Sequence, residues 1–222
     1  YPLNVPTEKI EKEHLERIFN QFTPVKVKYK DIFDMKEFYT ALYYWLMEYG
    51  WSDSNGTKEG KSPGKERFET LYNEKISPDG KAKEHFIRWR LKKMAPDTNK
   101  MRYYIDINFH TIALTSAEVV RDGQKIKANK GEVEITIHAF IEKIYETELG
   151  EHKLLKYFKD LFIKRIYKQE FETRKKELYQ EIYVLQNFIK QWFKLKRYLP
   201  YEETKSFFPS YAWPSHIREQ KD

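Results

Sequence analysis

Cysteine is absent from this chain of 222 residues, which removes disulfides, thiolate metal centres and cysteine nucleophiles in one step. Long apolar runs are absent too. No stretch reaches the roughly 18 residues that a membrane-spanning helix needs, and the first residues lack a basic region leading into an apolar one. A cytoplasmic protein with no membrane span is the expectation. HxH, HExxH, GxSxG and the GxxxxGK phosphate loop do not occur, and Ser62-Pro63-Gly64-Lys65 lacks the preceding strand and following helix of a phosphate cradle. No cofactor is indicated, and the chain reads as a binding protein rather than an enzyme.

What is abundant is aromatic and charged. Aromatic residues make up 17% of the chain and charged residues 34%, a balance that supplies a sizeable core and argues against bulk disorder. The charge is unevenly placed. Residues 150–198 hold thirteen Lys and Arg against six Asp and Glu, while the rest holds 28 of each sign, so the net charge of +7 sits in one segment. The chain divides accordingly into a body at 1–149, a basic helical segment at 150–198 and an extended tail at 199–222 with Phe207, Phe208, Tyr211 and Trp213 among its prolines.

Within the body, Thr7 as N-cap and Leu15, Ile18, Phe19 and Phe22 at helical spacing predict a short opening helix ended by Pro24. Val25, Val27 and Tyr29 then alternate with Lys26, Lys28 and Lys30, the period of a strand with one basic face. Asp34 and Glu37 have the spacing of a capping box, the stripe Met35, Phe38, Leu42, Trp45, Leu46 and Tyr49 follows, and Gly50 is a left-handed stop. Residues 52–65, rich in Gly, Ser and Pro, read as a mobile surface loop. From Phe68 to Tyr145 the period becomes two. Turns at Ser77-Pro78-Asp79-Gly80, Pro96-Asp97-Thr98-Asn99 and Arg121-Asp122-Gly123-Gln124 separate the runs. An α+β fold follows, with an antiparallel sheet of five or six strands packed on helices.

The polar side of that sheet gathers candidate chemistry. If the strands of Asp106 and His138 are neighbours, Asp106, His110, Glu134 and His138 project to one side, a set able to ligate zinc or transfer protons if the register brings it together. Solvated cross-strand ion pairs are the plainer expectation for such a face, and a metal is not favoured. Arg88, Arg90, Lys92, Arg102 and Tyr104 extend it with cations and an aromatic ring, a mixture that also stacks on unpaired bases. His85 shares the parity of Ile87, Trp89 and Leu91, which makes it a core or edge histidine rather than a ligand.

The basic segment carries two apolar stripes. Leu154, Leu155, Phe158, Leu161, Phe162 and Ile166 form the first; Leu178, Ile182, Leu185, Ile189, Trp192 and Phe193 form the second, about half a turn away on an unbroken helix. Either a bend near 168–177 folds the segment into a helical hairpin, or one long helix packs its first half on the body and projects its second. The lack of Gly or Pro at 168–177 favours projection.

The element order (helix, strand, helix, antiparallel strands, long C-terminal helix) resembles the helix-grip fold of START-like and polyketide-cyclase-like proteins over about residues 25 to 166. That resemblance implies a curved sheet gripping the last helix around a cavity. Three functions are open. The leading one is a non-enzymatic binding or assembly protein that docks its basic helix on an acidic partner, in first place nucleic acid or a ribonucleoprotein. Lys153, Lys156, Lys164, Arg165, Lys168, Arg174, Lys175 and Lys176 would then meet phosphates, with Tyr183, Trp192, Phe193 and Trp213 as a partner-binding aromatic face. The others are a small-molecule or lipid carrier with a cavity between sheet and helix, and a homo-oligomer joined through the C-terminal helix.

Overall fold

The structure, a computed structural model, describes residues 15–19, 23–53, 68–121, 124–146 and 167–195. In chain order the elements are β1 (Leu15–Arg17), β2 (Val25–Phe33), α1 (Met35–Glu48), β3 (Ser52–Asp53), β4 (Glu69–Ile76), β5 (Lys83–Met94), β6 (Met101–Arg121), β7 (Gln124–Lys143) and α2 (Lys168–Leu195). The strands form one antiparallel sheet of seven, in the order β1, β7, β6, β5, β3, with β2 also on β7 and β4 also on β5. The architecture is α+β. The strand count exceeds the expected five or six because Leu15–Arg17 pairs with Phe140–Glu142 and Ser52–Asp53 with Leu91–Lys92.

Leu15–Arg17 corrects the expected opening helix over that stretch, while Thr7 and Phe22 lie outside the described residues. Arg17 lies opposite Phe140, the Ile18 amide donates to the Ala139 carbonyl at 2.9 Å, and Ile18 and Phe19 are buried, so the edge of β7 outweighs the local helical spacing. Elsewhere the short-range signals are realised. Asp34 caps α1, its carboxylate accepting from the Glu37 amide at 2.9 Å, and Gly50 ends the helix at φ +78°. Ser77 to Gly80 turns β4 into β5 with Gly80 at φ +70°.

β6 and β7 are long partners, running to the pair Arg121–Gln124 at the expected hairpin; residues 122 and 123 lie outside the described set, as does most of the expected loop at 52–65. Their pairing slips between Ile112 and Thr115, where Ala113 adopts φ +51°. Across that bulge Gly131 leaves room for the chain: a Cβ there would stand 3.0 Å from the carbonyl oxygens of Ile112 and Ala113.

One sheet face is the floor of the core. Met101, Tyr103, Ile105, Ile107 and Phe109 on β6 and Val133, Ile135, Ile137, Ala139 and Ile141 on β7 are buried there beneath α1 and α2. α1 contributes Phe38, Leu42 and Leu46. The expected projection of the second apolar stripe is corrected, because Leu178, Ile182, Leu185, Ile189, Trp192 and Phe193 are all buried in this same core. Ring packing shows why. Phe193 stacks on Tyr29 at 4.5 Å and meets Phe38 at 4.6 Å, and Phe38 reaches Trp192 at 5.0 Å. The apolar sheet face and α1 offer the second stripe an aromatic bed that solvent cannot match. Where the first stripe (Leu154 to Ile166) lies falls outside the described residues.

Candidate functional site

Polar contacts lock α2 at a fixed rotation. Glu181 accepts from Trp51 Nε1 at 2.9 Å and from Lys93 Nζ at 2.8 Å. Tyr103 donates to the Arg174 carbonyl at 3.3 Å, and Gln186 Nε2 donates to the Lys26 carbonyl on β2 at 3.3 Å. The helix therefore has a settled inner and outer side. Of the cations expected to meet an acidic partner, Arg174 pairs with Glu177 at 2.8 Å and Lys175 with Glu16 of β1 at 3.1 Å, so both are spent inside the chain. Lys168 and Lys176 are exposed and make no ion pair among the described residues. Lys153, Lys156, Lys164 and Arg165 lie outside those residues.

The aromatic set divides as well. Trp192 and Phe193 are core residues and present no face to a partner. Tyr183 is 48% exposed, and Trp213 lies outside the described residues.

Two lysines missed from the sequence complete the outer side. Lys190 and Lys194 are exposed and without an ion pair among the described residues. At 100° per residue, Lys176, Tyr183, Lys190 and Lys194 fall within an arc of about 40° and extend along about 27 Å of helix. The phase was available in the sequence: these positions lie about 135° around the helix from the centre of the stripe of Leu178, Ile182, Leu185 and Ile189. They become the outer side only because the second stripe is seated in the core.

The polar sheet face resolves differently. Register places Asp106 opposite His138 and also opposite Arg90, and places His110 opposite Glu134. These two rows are four residues apart along the strands, about 13 Å, so the four groups cannot converge on one ion. His110 instead lies 2.7 Å from Glu84 and stacks on Phe86, while Glu134 pairs with Lys26 at 3.5 Å. Among the described residues no group of His and carboxylates has the geometry of a metal site.

Asp106 has no exposed surface, and neither carboxylate oxygen has a hydrogen-bond partner. Arg90 Nε approaches to 3.2 Å, a charge contact without hydrogen-bond alignment, because its Nη1 is held by the Trp89 carbonyl and Asn108. Burial pushes the Asp106 carboxyl up to about 7 against the opposing pull of Arg90, Arg17 and Arg88. Burial, with Arg17, Arg90 and Lys26 nearby, brings the His138 imidazole down to about 4. A carboxylate with no accessible surface is out of a substrate's reach, so this row is a structural polar cluster.

Of the core and edge alternatives expected for His85, the structure shows a buried histidine, Nδ1 at 2.9 Å from Thr111 Oγ1 and Nε2 at 3.0 Å from Glu74. Thr111 itself is fully buried, which removes the threonine, histidine and glutamate alignment from nucleophilic chemistry. Among the described residues no helix is long and apolar enough to cross a membrane. Comparison with protein-family models, with curated proteins and with solved structures yields no match.

Proposed function

We propose that the protein is a non-enzymatic binding protein whose helix α2 docks by its outer side on an acidic, phosphate-bearing partner, nucleic acid being the first candidate. The observation that carries this reading is the row of Lys176, Lys190 and Lys194, exposed and without ion pairs among the described residues, on a helix whose other side is anchored in the core. Glu177 and Glu181 on the same helix are neutralised by Arg174 and Lys93. Outward positive charge is thus left uncompensated over most of the helix, with Glu170 and Glu172 confined to its first turns. Rigid placement matters because a preformed cationic row meets phosphates without ordering a segment first.

The helix that the helix-grip-like reading places against the sheet, at residues 154–166, lies outside the described residues, and α2 packs on the apolar sheet face. Among the described residues, rings from α1, β5, β6 and α2 pack closely between the sheet and the helices: Phe38 lies 6.4 Å from Phe109, Trp89 lies 5.1 Å from Phe109, and Trp45 lies 5.3 Å from Phe188. Docking by the outer side is therefore preferred over carriage in the interior.

Titration of a labelled oligonucleotide between about 50 and 200 mM salt tests the proposal. Binding should weaken linearly on a log–log plot, and substituting Lys176, Lys190 and Lys194 by Gln should reduce both affinity and slope. Salt-independent binding, or an unchanged slope in the substituted protein, would overturn it.

A further inference from the structure

Within the outer row of α2, Tyr183 is the element that charge alone does not account for. It is 48% exposed and is followed by exposed Val184, yet its ring is not loose. Phe19, itself buried, meets Tyr183 edge-on at 6.2 Å, and Tyr179 lies 5.9 Å away at 35°. Phe19 in turn packs on Tyr179 at 4.4 Å, so the exposed ring is propped by two others anchored to β1 and the core.

Lys176 and Lys190 lie seven positions before and after Tyr183, about 10 Å along the axis on each side and on nearly the same line. A fixed aromatic face between two cations matches a backbone whose phosphates straddle a base turned towards the ring. In a duplex the bases are already stacked on one another and offer no free face, whereas an unpaired strand offers one at every nucleotide.

We infer that the partner of α2 is single-stranded nucleic acid, bound with phosphates at Lys176 and Lys190 and a base stacked on Tyr183. This rests on the proposal that the outer side of α2 binds phosphates, and it names the strand state and the stacking residue. Sequence preference should be weak, because any base has a face to stack.

Fluorescence anisotropy with a thymidine homo-oligomer, a duplex of equal length and heparin separates the two claims. The single strand should bind more tightly than the duplex. Tyr183→Ala should weaken it about tenfold, Tyr183→Phe should restore it, and neither change should alter heparin binding. Equal affinity for duplex and single strand, or an unaffected Tyr183→Ala variant whose Lys176→Gln counterpart is weakened, would overturn the stacking inference while leaving phosphate docking intact. Absence of binding to all three probes would overturn both. Unfolding midpoints of the tyrosine variants, measured alongside, confirm that the comparison is between folded proteins.

Discussion

Asp106 and His138 face each other across one strand pair and titrate in opposite senses. The Asp106 carboxyl is raised from 3.8 to about 7, so its contribution is fully present below about 4 and is lost as pH rises through 7. The slope approaches about 1.4 kcal/mol per pH unit. His138 is lowered from 6.5 to about 4, so its contribution is present above 6.5 and is lost as pH falls through 4. Between about 4 and 6.5 the two slopes offset each other. Denaturant unfolding at several pH values should therefore give a shallow profile for the native sequence. Asp106→Asn should become less stable as pH falls through that range, and His138→Gln less stable as pH rises from 4 to 7. Parallel profiles for both variants would contradict the assignment. Gly131 makes a second residue-level case, because a methyl group there meets two carbonyl oxygens at 3.0 Å that belong to the β6 bulge. Gly131→Ala should cost on the order of 1–3 kcal/mol by the same denaturant measurement.

At the scale of elements, α2 is the decisive piece. Its inner side replaces solvent with the rings of Tyr29, Phe38 and Phe19, and its polar anchors fix the rotation. Ile182→Ala should therefore destabilise the fold by about 2–5 kcal/mol, whereas Lys176→Ala should stay within about 0.5 kcal/mol of the native value. Chemical denaturation distinguishes these, and similar losses for both would mean that the helix is not sided as described. Elements set by contiguous residues were legible in the sequence: α1 from Asp34 to Gly50, β2 from its alternating lysines, and the turn at Ser77 to Gly80. β1 was not, because Leu15, Ile18 and Phe19 have helical spacing and only the waiting edge of β7 makes them extended. The docking of the second stripe was hidden for a related reason. Periodicity states that Leu178 to Phe193 need a cover, but not that the aromatic face between β2 and α1 supplies it. The Asp106–His138 pairing was legible as a condition on register, and the register met it; burial of the carboxylate, which decides its chemistry, was not readable from parity.

For the molecule as a whole, charge and burial are sorted onto different sides of the same helix. Among the described residues, the cations of the basic segment divide in space into internal ion pairs (Arg174 with Glu177, Lys175 with Glu16) and an outward row. Among the described residues of this segment, Arg174 and Lys175 are held by partners within the chain, while Lys176, Lys190 and Lys194 face outward without an ion pair. The most direct test is the unfolding midpoint of the protein with and without an oligonucleotide, for the native sequence and for the form with Lys176, Lys190 and Lys194 changed to Gln. Saturating oligonucleotide at about 100 times the dissociation constant should stabilise the native protein by about 2.7 kcal/mol. The substituted protein should unfold at the native midpoint when alone and show no such rise; a lower midpoint without ligand, or a rise as large as the native one, would contradict the account.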